Sequence, residues 1–294
     1  MRWKLMAWAT CVAMAMSGAG AFSGTVAVAG IDSPRVAVVR MTANLGRIES
    51  QIEMAKRYSL GDGVDQNDET SVGWWRRAAK NGNAEAQCRL GESLLMGKGI
   101  QRDEAEAIQW LRLAAQQGYA DALWRLGTCF WTGRGVTKDE TEALQYLRWA
   151  ADAGVPEAQF DMGVFCATGR GVDQDDRKAA EWFRHAAEGG VTAAQYNLAI
   201  YLRRERRGAA DDAEAALWFR RAADRGDPEA QYQLAKCYEE GIGLRTSTTE
   251  ARWWYQRAVE QGQSEAKAAL AAMDRAASLS AIAGRNHSDD YRLR

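Results

Sequence analysis

The chain reads as an all-α fold, a right-handed superhelix of about six 36-residue helical hairpins closed by half-repeats. Three observations predict it. A small residue recurs at one fixed step, as Ala86, Ala122, Ala158, Ala194, Ala230 and Ala266. A bulky aromatic keeps that step at Trp74, Trp110, Tyr146, Trp182, Trp218 and Trp254. So does a closing glycine, at Gly82, Gly118, Gly154, Gly190, Gly226 and Gly262. Self-similarity at such a period marks stacked units, each completing its core against a neighbour. A chain of this kind offers a partner an extended surface.

Residues 120–154 justify the elements of one unit in order. Ala122, Leu126, Gly127, Cys129 and Phe130 fall at helical spacing and predict an amphipathic first helix. Gly133-Arg134-Gly135-Val136 follows as a turn. Asp139, with Glu142 three residues on, is a capping-box pattern that starts a second helix. Asp103 with Glu106, Asp211 with Glu214 and Ser247 with Glu250 repeat that pattern. The second helix buries Ala143, Tyr146, Leu147, Ala150 and Ala151, and Gly154 stops it. Pro156 and Pro228 open later first helices, where a missing N–H costs nothing.

Phase continues past the full units. Val38, Ala43 and Gly46 lie one step before Trp74, Ala79 and Gly82, so 34–45 reads as a lone second helix behind the cap Ser33. Residues 266 to about 277, with Leu270 and Met273, read as a lone first helix, which makes fourteen helices in all. Half-repeats at both ends cover the apolar faces of a stack. The expected organisation is a secretory signal over 1–21, a linker over 22–33, the solenoid over 34–278 and a loose polar tail over 279–294.

These residues resemble the Sel-one-like repeat (SLR) family, relatives of the tetratricopeptide repeats. The pattern A-x-x-x-L-G-x-x-Y-x-x-G-x-G-V, then D-x-x-x-A-x-x-W-x-x-x-A-A-x-x-G, runs almost unbroken through 122–154. The resemblance spans about 50–277. It implies an α-solenoid that acts as an adaptor. Periplasmic relatives that restrain a sensor domain or assist envelope assembly imply an envelope or secreted protein as partner. The cysteine-rich relatives pair two cysteines inside one repeat, but here Cys88, Cys129, Cys166 and Cys237 are each alone in theirs. Four buried thiols are therefore expected.

Arg2, Lys4, an apolar stretch over 5–16 and Ala19-Gly20-Ala21 suit a cleaved export signal too short to span a bilayer. Export to the periplasm or beyond is the expectation. Without that segment 36 basic residues face 39 acidic ones, a net charge of −3 that argues against nucleic acid as a partner. Chemistry is sparse. His185 and His287 have no evident serine or cysteine partner, no Cys/His cluster suggests a metal, and no cofactor is expected. The acidic pairs and Gly-x-Gly turns recur in phase, as caps and turns do. A non-catalytic protein is the reading, and a β-lactamase-like SLR enzyme stands last.

A partner-binding face is expected along the first helices, which line the groove of tetratricopeptide-like solenoids. Positions i, i+4 and i+7 share a face. They give Trp124 and Trp131; Phe160 and Val164; Tyr196, Ile200 and Arg203; and Tyr232. The first column (Trp124, Phe160, Tyr196, Tyr232) is open to two readings, packing between repeats or anchoring a peptide. Trp131 stands where other repeats have Leu95, Ala167, Arg203 and Glu239, so packing does not demand it. In the fifth repeat, Arg203, Arg204, Arg206 and Arg207 replace the glycine turn and either bind anions or form a solvated helix end. Arg76, Arg112, Arg148, Arg184 and Arg220 stack on second helices, to bind anions or to pair with nearby acids. The favoured function is capture of a peptide or protein. The alternative is binding of peptidoglycan or another polysaccharide.

Overall fold

The computed structural model describes residues 34–205 and 208–290, with side chains to Leu279. The expected signal and linker, Arg206, Arg207 and 291–294 lie outside the described residues. Among those described there are fourteen α-helices and no strand. They are α1 Pro34–Asn44, α2 Ile48–Leu60, α3 Asp68–Lys80, α4 Ala84–Met96, α5 Glu104–Gln116, α6 Ala120–Thr132, α7 Glu140–Asp152, α8 Pro156–Thr168, α9 Asp176–Glu188, α10 Thr192–Glu205, α11 Ala209–Asp224, α12 Pro228–Glu240, α13 Thr248–Glu260 and α14 Ser264–Asp290. Helices α2 to α13 form six hairpins, each a first helix followed by a second. The chain divides into two compact units, one ending at Trp149 and the other starting at Ala150.

In each unit the small residues let the helices close. Ala86 and Ala122 in the first unit, and Ala158, Ala194, Ala230 and Ala266 in the second, are fully buried. Gly127 shows how close α6 and α7 come, because a Cβ there would lie 2.7 Å from Leu147 Cγ. Gly135 serves the next level of packing. It adopts φ +72°, and a Cβ on it would meet the Glu104 carbonyl oxygen at 2.6 Å. The second turn glycine therefore lets one hairpin's turn rest on the start of the preceding second helix. Large side chains fill what remains: Leu90, Leu94, Leu111 and Leu126 in the first unit, and Leu198, Phe219, Leu234 and Tyr255 in the second. Fully burying such a side chain contributes about 1.5–3 kcal/mol.

Helix starts follow the expected chemistry, with one exception. Asp103, Asp139 and Ser247 accept from the backbone N–H of Glu106, Glu142 and Glu250 at 2.8, 2.9 and 3.3 Å. In two repeats the third-position glutamate turns elsewhere. Glu106 and Glu214 accept the indole N–H of Trp110 and Trp218, at 3.1 Å each. Asp211 is not a cap. The fifth repeat lacks the paired glycines, α10 reaches Glu205, and α11 starts at Ala209 behind Gly208. Asp211 then lies inside the first turn of α11. Proline takes the first position of α8 and α12 as read. The last helix does not stop near 277. It continues to Asp290 through an alanine-rich stretch with no proline to break it, so 279–290 is helical backbone.

A buried polar ladder runs through the hairpins and was not anticipated. The side-chain amides of Gln51 and Gln87 donate to the Ala43 and Ala79 carbonyls at 3.2 and 3.3 Å. In the second unit Gln159, Gln195 and Gln231 donate to Ala151, Ala187 and Ala223 at 3.3, 3.1 and 3.2 Å. Each is a second donor to a carbonyl near a helix end, which also accepts the N–H of the glycine three residues on.

Candidate partner-binding faces

In the first unit, Trp124 and Trp131 lie on α6, seven residues apart and on one face, both half-buried. The Arg125 guanidinium sits over the Trp124 ring at 5.5 Å and the Lys138 ammonium over Trp131 at 5.9 Å. Glu92 fixes this corner by accepting from Arg125 at 2.7 Å and Arg89 at 3.0 Å. The result is a pair of indoles framed by cations, able to take an apolar side chain beside a carboxylate.

In the second unit the first-column aromatics do packing work. Phe160 lies against Phe183 with ring centroids 5.8 Å apart, Tyr196 against Phe219 at 6.0 Å and Tyr232 against Tyr255 at 5.7 Å. Each contact joins the two helices of one hairpin. All three first-column rings stay half-buried, as do Val164 on α8 and Ile200 on α10. Burial pushes the Tyr196 phenol above its ordinary pKa; for Tyr255 burial and then the Glu239 carboxylate do so. The Tyr255 hydroxyl donates to Glu239 at 2.6 Å.

The two described arginines of the fifth-repeat run have internal partners. Arg203 donates to the Gln233 side-chain oxygen at 3.2 Å, and Arg204 pairs with Asp176 and lies over the Tyr201 ring. Beside them a cleft of about 370 Å³ opens between α9 and α10, lined by Arg177, Glu181, Tyr201 and Glu205 among others. The second-helix arginines pair in the same way. Arg76 meets Glu106 at 3.0 Å, Arg184 meets Glu214, and Arg220 donates to the Tyr238 hydroxyl.

Four cysteines, Cys88, Cys129, Cys166 and Cys237, are buried and form no disulfide among the described residues. Burial pushes the thiol of Cys88 up to about 12, and those of Cys129 and Cys237 up to about 11. His185 packs edge-on to Trp182 at 6.3 Å. One Ser-x-x-Lys spacing exists, at Ser264 and Lys267, but both side chains are exposed and the serine hydroxyl donates to Glu265 at 2.8 Å. No group of His, Cys, Asp or Glu among the described residues could hold a metal ion. No described helix is long and apolar enough to cross a membrane.

Sequence reasoning missed one surface, a cleft in the first unit formed mainly by α5 and α7 and including Arg112, Glu142, Tyr146 and Trp149. Its signal was available, since Trp149 stands where other repeats carry Arg77, Leu113, His185, Arg221 and Arg257.

The fold has solved relatives. The chain is 32% identical to a protective antigen present in uropathogenic Escherichia coli strains and displaying an SLR fold, with a TM-score of 0.71 over 80% of this chain and 50% of that one. It spans about half the length of that protein. It is 28% identical to a Sel1 repeat protein from Oxalobacter formigenes, with a TM-score of 0.66 over 77% of this chain and 99% of that one. No curated protein matches the chain. The Sel1 repeat matches six times in unbroken succession, at 48–83, 84–119, 120–155, 156–191, 192–227 and 228–263, and the chain belongs to the Sel1 repeat family.

Proposed function

We propose that the chain is an exported, non-catalytic interaction module of the cell envelope that holds a peptide or protein segment on its first-helix face. Sel1 repeat proteins are typically protein-interaction modules, and their fold is generally a non-catalytic scaffold. The observation that carries the reading is the pair Trp124 and Trp131. Two half-buried indoles seven residues apart on one helix face, each under a cation, have the makings of an interface hot spot. Trp131 is the sharper member, because no other repeat needs an aromatic there. The basic start, apolar stretch and small residues of 1–21 support export, as does the antigenic character of the Escherichia coli relative.

The test is co-purification from envelope fractions of the source cell, comparing the wild-type chain with Trp131→Ala. A defined envelope protein that accompanies the wild type, and is depleted roughly tenfold by the substitution, is the expected result. A chain confined to the cytoplasm, or a partner indifferent to Trp131→Ala, would refute the proposal.

A further inference from the structure

The third repeat departs from the pattern of its neighbours at several positions, and the departures line one hollow. The cleft has a volume of about 570 Å³ and is walled by Arg112 and Gln116 of α5, Leu123 of α6, and Glu142, Tyr146 and Trp149 of α7. In the second and fifth repeats a tryptophan closes onto its own glutamate, Trp110 on Glu106 and Trp218 on Glu214. Here Tyr146 holds the tryptophan position. In those two repeats the arginine one repeat back reaches that glutamate, Arg76 reaching Glu106 and Arg184 reaching Glu214. Here Arg112 lies over the Phe130 ring at 5.8 Å, and the Glu142 carboxylate makes no ion pair among the described residues. In three repeats an arginine covers the tryptophan face, as Arg77 covers Trp74 at 4.5 Å and Arg221 covers Trp218 at 4.4 Å. Here Trp149 stands edge-on to Tyr146, centroids 5.6 Å apart and planes at 86°, and stays 47% exposed. The usual glutamine of the buried ladder is Leu123. The glutamate that an arginine and an indole satisfy in the second and fifth repeats therefore remains available around this hollow.

We infer that this cleft is a binding site for a neutral oligosaccharide. The volume falls in the range of ligand pockets, roughly 300–1,000 Å³. Trp149 offers its exposed ring to the apolar C–H face of a sugar, and Tyr146, stacked on Phe130 with centroids 5.7 Å apart, backs it. The Arg112 guanidinium and Gln116 amide donate to hydroxyl oxygens, while the Glu142 carboxylate accepts hydroxyl protons. One cation and one anion cancel across the cleft, which favours an uncharged, polyhydroxylated ligand over an anionic or cationic one. The recess favours a ligand that enters it over a protein surface laid across it. None of these residues belongs to the first-helix face, so this inference and the proposed function can each fail alone.

Saturation-transfer NMR on the full chain tests the site, with chitotriose, cellotriose and maltotriose as neutral probes and trigalacturonate as the anionic one. The expected result is transfer to a neutral trisaccharide, strongest at ring C–H protons, and weaker transfer to trigalacturonate. Binding should weaken roughly tenfold in Trp149→Ala and also fall in Glu142→Gln, which keeps the side-chain volume. Trp253→Ala, which removes an equally exposed indole outside the cleft, should leave it unchanged. Absence of transfer to all three neutral sugars overturns the inference, as does binding that survives Trp149→Ala. A protein crosslinked at position 149 that the sugars fail to displace also overturns it.

Discussion

Gln117 donates its side-chain amide to the side-chain oxygen of the buried Gln87 at 2.8 Å, thirty residues back. Gln87 in turn donates to the Ala79 carbonyl, so two polar groups inside the stack are satisfied together. Asn81 on Gln51 and Gln261 on Gln231 repeat the arrangement at 3.2 and 2.8 Å. Replacing Gln231 by Leu removes the acceptor of the Gln261 amide and one of two donors to the Ala223 carbonyl, which keeps the Gly226 N–H at 2.9 Å. Losing these bonds costs about 0.5–1.5 kcal/mol, read as a lower urea midpoint. Adding Gln261→Ala should recover part of it, because the third repeat carries Leu123 and Ala153 at these two positions.

One rung leaves a buried acceptor without a donor. The buried Gln195 side-chain oxygen has no hydrogen-bond partner, because position 225 holds an arginine that donates to the Gly190 carbonyl instead. Arg225→Gln should restore the missing donor and raise stability by about 0.5–1.5 kcal/mol. Thermal denaturation reads this directly, and a lowered midpoint would show that the Arg225 contact with Gly190 matters more.

The pair Arg184 and Glu214 makes stability depend on pH. The Arg184 hydrogen bond, with the Trp218 indole assisting, holds the Glu214 carboxyl below the ordinary carboxylate value. A depressed acid stabilises the fold above its unfolded pKa, near 4.5, and that stabilisation is lost as pH falls through the lower folded value. Glu214→Gln keeps an acceptor for the indole but removes the charge. The pair is partly exposed, so the variant should be less stable by only about 0.2–1 kcal/mol at pH 7. Denaturation midpoints of the two proteins should converge as pH drops below 4.5.

Buried thiols with raised pKa values stay protonated at neutral pH and are poor nucleophiles. Cys88, Cys129 and Cys237 should therefore resist Ellman's reagent in the native chain, reacting on the order of a hundredfold faster in denaturant. Immediate labelling of all four at pH 8 would place them at the surface.

Much of the fold was legible because the repeat declares it. Buried alanines, capped second helices and glycine turns follow from local chemistry copied six times. What escaped notice depends on spacing across repeats. Gln87 with Gln117, and Arg203 with Gln233, are thirty residues apart and share no helix face in sequence. The fifth repeat misled because Asp211 and Glu214 keep the capping-box spacing, while the turn that would place Asp211 at the helix start is gone. The first-column aromatics were visible as a stripe. That Phe160, Tyr196 and Tyr232 rest on Phe183, Phe219 and Tyr255 needed the second helix in place.

The most direct test of the partner-binding account places a photo-crosslinker at position 131 in the native host, with position 148 on α7 as control, and identifies the captured molecule by mass spectrometry. The account predicts one envelope protein caught at 131, lost on Trp124→Ala and absent at 148. Capture at 148 alone, or of glycan fragments at 131, would contradict it.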